Sequence, residues 1–229
     1  DGFLLLNTHA HKISVPIPVV AISAHIDNEN VTNIVLDHYQ AAKLALSHLY
    51  ELGHRKIAIM RGPRAIPDSE YRWESIQQVA HEIGLKLDPA LIIRIDSDSW
   101  SMKAGYHPMA PEIGYRPMKA LLKKTTDFTA IFCFNDIAAI GAIRALNDSG
   151  LRVPGNVSVV GFDDIQSAAY SMPALTTVRQ PLSEMGKRGA QVLLQRIADR
   201  EKEFPAEIVM TPELVVREST GAAPFSPRA

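Results

Sequence analysis

Polar side chains follow four short apolar runs of the sequence, and each run is typical of a buried strand. The residues that stand out after these runs are Arg72, Trp100, Asn135 and Asp163. Because ligands of open parallel sheets bind outside the carboxyl ends of the strands, we expect these four side chains to face one site. Carboxylate, amide and guanidinium groups hydrogen-bond to hydroxyls, and an indole covers the apolar face of a sugar ring. The set predicts a binding site for a polyhydroxylated ligand and implies no reaction.

Each of these residues also has a purely structural interpretation. Asn135 and Asp163 precede a helix and a turn, where Asn and Asp are common capping residues. Arg72 lies near Glu70 and Glu74 on a predicted helix, where an exposed ion pair contributes only about 0.2–0.5 kcal/mol. Because all the candidates fall at successive strand ends, their coincidence favours a common binding site over separate structural roles.

Patterns of enzymes and metal proteins are not found in the sequence. The eight histidines show no spacing with Cys or Glu that is typical of a zinc or metalloprotease site. No nucleophile elbow, phosphate-binding loop or dinucleotide fingerprint occurs either. We therefore predict a binding protein with no catalytic residue, no metal and no cofactor. The histidines are His9, His11, His25, His38, His48, His54, His81 and His107.

The elements that must position these residues alternate between short apolar runs and longer segments with helical spacing. This alternation predicts an α/β fold with parallel sheets flanked by helices. Three predicted helices, at 39–52, 69–83 and 137–149, are each followed by a glycine suited to a C-terminal cap. The candidate strands are residues 3–6, 19–22, 33–36, 56–60, 91–95, 130–134 and 157–161.

Composition sets limits on partners and location. The 229 residues are 46% hydrophobic and 21% charged, and the net charge of −1 offers no general attraction to nucleic acid or anionic lipid. The single cysteine, Cys133, lies in an apolar run, so the chain forms no internal disulfide. No apolar stretch approaches the roughly 20 residues that span a bilayer. These features predict a cytoplasmic protein with no membrane contact.

The two ends of the chain carry their own expectations. Residues 3–6 resemble a buried strand, yet nothing upstream supplies its neighbours, so the first lobe of the fold is expected to be incomplete at its N-terminus. The tail at 221–229 is rich in Pro, Ala and Ser without apolar periodicity, and we expect it to be disordered.

Five sequence blocks resemble regulators of the lac repressor family. The first is LYELGHRKIA at 49–58, followed by Gly62 and Pro63. FND follows at 134–136, and LRVP with VSVVGFDD at 151–164. PALTTV at 173–178 and PELVVREST at 212–220 complete the set. Since the blocks occur in order over nearly the whole chain, the resemblance is specific.

The resemblance implies a two-lobed fold similar to periplasmic sugar-binding proteins, with an effector between the lobes. The chain would cross between lobes near Leu36, near Arg179 and near Met210. The N-terminal lobe would then comprise 1–36 and 180–209, and the C-terminal lobe 37–179 and 210–220.

Effector contacts of the family fall on Arg72, Trp100, Asn135 and Asp163, with Ser23 as a further contact. The chain departs from the family pattern at three places near these residues. Ser23 replaces a longer polar residue that reaches the ligand in many relatives, so one hydrogen bond is expected to be shorter or missing. Ser75 stands where the family has a glycine three residues after the cleft arginine, and 102–113 is longer than expected and predicts a flap.

The resemblance implies the effector-binding and dimerisation core of a transcription repressor that responds to a small sugar or glycoside. No segment resembles a DNA-reading headpiece, so operator DNA is expected to bind only through a missing N-terminal part. A periplasmic sugar-binding protein for transport and a purine-responsive regulator are the alternatives. The helix at 137–147, apolar around much of its circumference, and the strand edge at 3–6 predict a homodimer.

Overall fold

The computed structural model describes residues 1–6, 15–28, 30–64, 66–95, 110–200 and 202–224. Among them, no helix is long and apolar enough to cross a bilayer. The strands are β1 Phe3–Leu6, β2 Val19–Ile22, β3 Val31–Leu36, β4 Ile57–Arg61, β5 Ile92–Arg94, β6 Ala130–Cys133, β7 Ser158–Asp163, β8 Thr176–Arg179, β9 Glu207–Met210 and β10 Glu213–Val215. The helices are α1 His38–Glu51, α2 Pro67–Glu82, α3 Glu112–Leu122, α4 Asp136–Asn147, α5 Gln166–Tyr170 and α6 Leu182–Ala198.

Two separate sheets organise these elements. The first is parallel, with strand order β1-β2-β3-β9, and α6 packs on it. The second has the order β10-β8-β7-β6-β4-β5 and is parallel except for β10, which runs antiparallel to β8. Helices α1 and α4 pack against the second sheet. The predicted α/β class with parallel sheets and flanking helices is confirmed.

The second sheet is buried on both faces, as its apolar sequence indicates. Val159 and Val160 of β7 face opposite ways, and both are fully buried. Cys133 is buried at 1% exposure, which confirms its predicted place in the apolar interior. This double burial leaves only the strand ends available for polar chemistry.

The three predicted helices end two or three residues before the glycines that were expected to cap them. Gly53, Gly84 and Gly150 have φ values of +92°, +70° and +77°, a region that glycine adopts without the clash that a Cβ causes. The three predicted helices are confirmed, with ends shifted by one or two residues. All seven predicted strands are present as well, again with small shifts of their ends.

Strand β1 forms but is not buried in the chain as it stands. It is the edge of the first sheet and pairs only with β2 among the described strands. Phe3, Leu4 and Leu6 are exposed at 48%, 39% and 64%. The apolar run predicted the strand correctly, whereas the predicted burial is not found, because no described strand pairs with the other edge of β1.

Much of the apolar circumference of helix α4 is covered by the neighbouring helix α3. A Cβ on Gly114 of α3 would lie 1.9 Å from the carbonyl oxygen of Ala138, and one on Gly141 would lie 1.9 Å from that of Pro111. The two helices therefore touch backbone to backbone. Within the chain, α3 and the second sheet together cover most of α4, and Ile137 and Ile140 stay partly buried.

Candidate functional site

The predicted strand-end residues converge at the carboxyl edge of the second sheet. Strands β4, β6 and β7 are neighbours there, with Met60 opposite Cys133 and Phe132 opposite Val160. The polar segments after these strands consequently open on the same edge. The expectation that successive strand ends bring polar side chains together is met for the described members.

Arg72 lies at the centre of this edge. It projects from α2, is only 4% exposed, and its Nη1 donates a hydrogen bond to the Phe134 carbonyl oxygen. Its guanidinium also lies 3.4 Å from the ring centroid of Phe162 and 4.7 Å from that of Phe134. Burial lowers the pKa of Arg72 to about 10, and the charges of Asp163 and Asp68 oppose this shift, so Arg72 remains a cation at neutral pH.

The alternative interpretation of Arg72 as an exposed ion-pair partner is wrong. Glu70 instead accepts hydrogen bonds from Arg61 at 2.7 Å and from Arg94 at 2.6 Å. The Nε of Arg72 has no hydrogen-bond partner within the described part of the chain. A buried guanidinium with an unused donor is therefore directed to the site and not to the helix surface.

Asp163 ends β7 with an unusual backbone. Its φ of +113° is rarely adopted by a residue with a side chain, which marks a locally strained position. Its Oδ1 accepts a hydrogen bond from Nε2 of Gln180 at 2.6 Å. Burial raises the pKa of Asp163 to about 6, although Arg72 and the Gln180 hydrogen bond lower it. Arg72 and Asp163 thus form a complementary pair of charges at the edge.

Asn135 caps the helix that follows β6. Its Oδ1 accepts a hydrogen bond from the Ala138 backbone N–H at 2.9 Å, so it caps α4. Its backbone lies beside the Phe134 carbonyl that Arg72 contacts. The capping interpretation is confirmed, and it places the amide at the same edge as Arg72.

Asp164, by contrast, belongs to a fully paired ionic network. Its Oδ2 accepts from Arg179 at 2.7 Å and its Oδ1 from Arg217 at 2.6 Å. Arg217 also donates to the Leu175 carbonyl oxygen at 2.8 Å. The capping interpretation of Asp163 is wrong, since α5 begins without a side-chain cap.

Ser23 lies across the edge, at the end of β2 in the first sheet. Its φ is +51°, and its backbone N–H donates to the Ile34 carbonyl oxygen at 3.0 Å. No hydrogen bond among the described residues joins Ser23 to Arg72, Asn135 or Asp163. Two residues later, His25 contacts Asp68 and Tyr71 of α2, the helix that carries Arg72.

His25, in the loop after β2 of the first sheet, contacts residues of α2, the helix that follows β4 of the second sheet. Its Nε2 lies 3.2 Å from Oδ1 of Asp68, and its ring centroid lies 4.0 Å from that of Tyr71. His38, at the start of α1, places Nε2 3.8 Å from the same Asp68 oxygen. Burial lowers the pKa of His38, which keeps its ring neutral at neutral pH even though Asp68 acts in the opposite direction.

Two predicted features lie outside the described residues. Trp100 is one, and most of the predicted flap at 102–113 is the other. Ser75, the departure from the family glycine, is described: its hydroxyl donates to the Tyr71 carbonyl oxygen at 2.9 Å within α2. The helix accommodates the serine without interruption.

Comparison with known proteins identifies the family. Residues 46–220 match the model of the periplasmic binding protein-like domain. The chain belongs to the periplasmic binding protein-like family. The resemblance to lac repressor family regulators is confirmed by relatives named HTH-type transcriptional repressor PurR. The one from Pasteurella multocida is 36% identical over 204 residues, which is 89% of this chain and 57% of that protein.

Other members of the family agree. PurR of Escherichia coli O1:K1 / APEC is 33% identical over 91% of this chain and 58% of its own length. A CelR–cellobiose complex has a TM-score of 0.81 at 30% identity, covering 96% of this chain and 65% of that one. A lac repressor dimer bound to operator and the anti-inducer ONPF has a TM-score of 0.77 at 26% identity, covering 90% and 66%. The chain spans just over half the length of the curated relatives it matches.

Sequence reasoning missed four polar residues of this periplasmic-binding-like site: His25, His38, Asp68 and Gln180. Local spacing gives no signal for the first three, because they come from three different elements. Gln180 was considered only as a crossing point between lobes. Its position directly after β8, the strand next to β7, was the signal that could have placed it beside Asp163.

Proposed function

We propose that the chain is the effector-binding and dimerisation core of a transcription repressor that responds to a small sugar or glycoside. The observation that carries the proposal is the buried Arg72, whose Nε makes no hydrogen bond among the described residues and whose charge acts on Asp163 at the carboxyl edge of the sheet. A cation and a carboxyl group held in a dry cleft can orient hydroxyl groups by charge-assisted hydrogen bonds.

In this proposal Arg72, Asn135 and Asp163 hydrogen-bond the effector, and Trp100 stacks on its ring. Ser23 supplies a short contact from the first sheet. The relative solved with cellobiose supports a saccharide, and so does the mixture of donors and acceptors.

A purine base is the second candidate effector, because the curated relatives at 33–36% identity are named PurR. Asn135 and Asp163 are also suited to the polar edge of a base, and Phe134 and Trp100 to its face. The transport alternative is weaker, since these relatives are named as repressors.

The lobes in this proposal keep the predicted boundaries. The N-terminal lobe comprises 1–36 and 180–209, the C-terminal lobe comprises 37–179 and 210–220, and 221–229 is a tail. The strand order supports this division, because β9 joins the first sheet and β10 the second. The Gln180 hydrogen bond to Asp163 then lies at a crossing between lobes.

The homodimer is proposed to use the surface next to α4. Tyr170 and Met172 are exposed at 82% and 90%, and they lie beside the partly buried Ile140 and the buried Ile143. Exposed apolar side chains in such a cluster are typical of protein interfaces. Light scattering is expected to show a dimer, and Tyr170→Glu is expected to dissociate it. A mass near 25.2 kDa at micromolar concentration contradicts the proposal.

Operator DNA is proposed to bind through a separate headpiece, in the cytoplasm, while this part of the chain binds the effector. With a net charge of −1, this part has no electrostatic attraction to the phosphate backbone. Gel-shift measurements on this chain are expected to show no sequence-specific retardation at physiological salt.

Calorimetry tests the effector. The chain is titrated with a panel of glycosides that includes cellobiose, and with purine bases. The expected result is saturable binding of one saccharide at one site per chain. Saturable binding of a purine base alone selects the second candidate, and binding of neither class contradicts both.

Trp100 can be tested by fluorescence, because the chain has two tryptophans. In the Trp73→Phe variant, Trp100 is the sole indole. Effector addition is expected to change its emission, and in the matched Trp100→Phe variant the emission of Trp73 is expected to stay constant. An unresponsive Trp100 at saturating effector refutes the stacking role.

A further inference from the structure

Three potential metal ligands meet where the two sheets face each other. His25 lies in the loop after β2 of the first sheet, His38 is the first residue of α1, and Asp68 lies in the first turn of α2. One ligand atom of each lies within 4.8 Å of the others. The three residues are buried or partly buried, which protects a bound ion from exchange with bulk water.

The distances fit a small first-row ion. Oδ1 of Asp68 lies 3.2 Å from Nε2 of His25 and 3.8 Å from Nε2 of His38. Metal bonds of about 2.0–2.1 Å in tetrahedral geometry separate neighbouring ligand atoms by roughly 3.3 Å. The two carboxylate–imidazole distances are therefore close to those required, and the ligand atoms of the two rings lie within 4.8 Å of each other.

Three ring nitrogens make no hydrogen bond within the described residues, namely Nε2 of His25 and both nitrogens of His38. The two Nε2 atoms lie near Asp68, at 3.2 and 3.8 Å, and the contact is ionic only when the ring is protonated. Buried polar atoms without partners are rare in folded proteins, so a missing partner is expected here. Imidazole nitrogen and carboxylate oxygen are ligands that zinc accepts.

We propose that His25, His38 and Asp68 bind one divalent transition-metal ion of the zinc class. The fourth position remains open to water or another small ligand, as in zinc sites with three protein ligands. The site goes beyond effector binding, because an ion held there joins the first sheet, through His25, to α1 and α2 on the second.

Arg72 limits the affinity of this site. It lies one helical turn after Asp68, and its positive charge acts on both Asp68 and His38. Its guanidinium is held on the Phe162 ring and at the Phe134 carbonyl oxygen, so it does not occupy the space between the three ligands. We expect moderate affinity, which direct titration resolves.

The test uses the full chain after treatment with EDTA and removal of the chelator. Calorimetric titration with Zn²⁺ is expected to show one ion per chain, and Co²⁺ is expected to give the visible absorption of a four-coordinate site. His25→Ala and His38→Ala are each expected to weaken Zn²⁺ binding at least about 10-fold. Zn²⁺ should raise the melting temperature of the unmodified chain and not that of His25→Ala.

His81→Ala is the matched control, since His81 is exposed near the end of α2 and outside the cluster. It is expected to bind Zn²⁺ like the unmodified chain. Circular dichroism checks folding, and Asp68→Asn provides a third variant if an alanine variant is misfolded. Absence of a stoichiometric site, or equal Zn²⁺ affinity in the folded ligand variants and the control, overturns the proposal. Effector titrations are run separately in EDTA, so that loss of the metal site and loss of effector binding can be distinguished.

Discussion

Asp163 and Asp164 are adjacent in sequence but belong to two polar clusters, which differ in how fully protein groups satisfy their hydrogen bonds. Asp164 is held by Arg179 and Arg217, and each of its oxygens accepts a charged hydrogen bond. Among the described residues, Asp163 has Gln180 as its hydrogen-bond partner. The charge of Arg72 also acts on Asp163, and Nε of Arg72 makes no hydrogen bond within that part of the chain. Both clusters are at the same edge of one sheet, so position alone does not distinguish them.

The difference teaches how to separate a structural cluster from a binding site. Protein groups complete the Asp164 cluster, which leaves nothing for a ligand to add. The region around Arg72, His25 and His38 retains buried polar atoms without partners in the described chain. Since native proteins satisfy nearly all such atoms, the unsatisfied cluster is where a ligand belongs.

Asp136 sharpens this comparison most, because it is buried and, among the described residues, accepts hydrogen bonds from neutral groups alone. Its oxygens accept from the Thr177 hydroxyl at 2.6 Å and the Ile165 N–H at 2.8 Å. Burial raises its pKa to about 7, with these hydrogen bonds opposing the shift. The folded state therefore binds the proton more tightly than the unfolded state. The resulting stabilisation is complete below about pH 4 and is lost as the pH rises through 7.

We expect the free energy of unfolding of the unmodified chain to fall by up to about 4 kcal/mol between pH 4 and pH 7, relative to Asp136→Asn. Urea denaturation at several pH values measures this difference. Parallel pH profiles for the two proteins contradict the assignment.

Breaking the paired cluster is the next largest effect. Arg217→Met keeps most of the side chain's apolar stem but removes its hydrogen bonds to Asp164 and Leu175. Loss of charged hydrogen bonds is expected to lower the free energy of unfolding by about 2–3 kcal/mol. Effector affinity, measured by calorimetry, should change less than about threefold. A large loss of effector affinity with normal stability would show instead that the Asp164 cluster belongs to the binding site.

A change at Asp163 should have the opposite effect, a loss of effector affinity with little loss of stability. Asp163→Asn keeps the shape of the side chain, and asparagine tolerates positive φ better than alanine does. Loss of a charged hydrogen bond to the effector is expected to weaken binding by roughly 10- to 100-fold, with little loss of stability. Asp127→Asn is the matched control, since Asp127 is 73% exposed and pairs with Lys56. Equal affinities of the two variants would remove Asp163 from the site.

An exposed pair gives the smallest effect. Arg144 donates to Asp148 at 2.8 Å on the surface of α4, and the arginine side chain is 73% exposed. Arg144→Ala is expected to change the free energy of unfolding by only about 0.2–0.5 kcal/mol. A change as large as that of Arg217→Met would show that burial is not what gives the Asp164 cluster its strength.

Much of the architecture could be predicted because local patterns specify it. Continuous apolar runs mark strands buried on two faces, and the glycines at 53, 84 and 150 mark helix ends through their backbone freedom. Strands β8, β9 and β10 were not predicted, since they are only three or four residues long and each contains polar or charged residues that interrupt an apolar run. Helices α3, α5 and α6 were not among the predicted helices either.

The site was predictable only where strand order determines it. Arg72, Asn135 and Asp163 follow strands that are neighbours in the sheet, so the general behaviour of parallel sheets placed them together. His25, His38 and Asp68 meet only through the packing of one sheet against the helices of the other, which no spacing in the sequence encodes. The pairing of Asp164 with Arg217 likewise depends on residues far apart in the chain.

The glycine contact between α3 and α4 has a consequence for mutational surveys. At Gly114 and Gly141, even a methyl group collides with the backbone of the opposite helix. In the full repressor proposed above, saturation mutagenesis scored by repression would therefore rank these two glycines among the least tolerant positions, alongside Arg72 and Asp163 of the proposed site. Intolerance to substitution would then mark the close contact between α3 and α4 as well as the proposed ligand site. A ligand-binding assay on the surviving soluble variants would separate the two kinds of position.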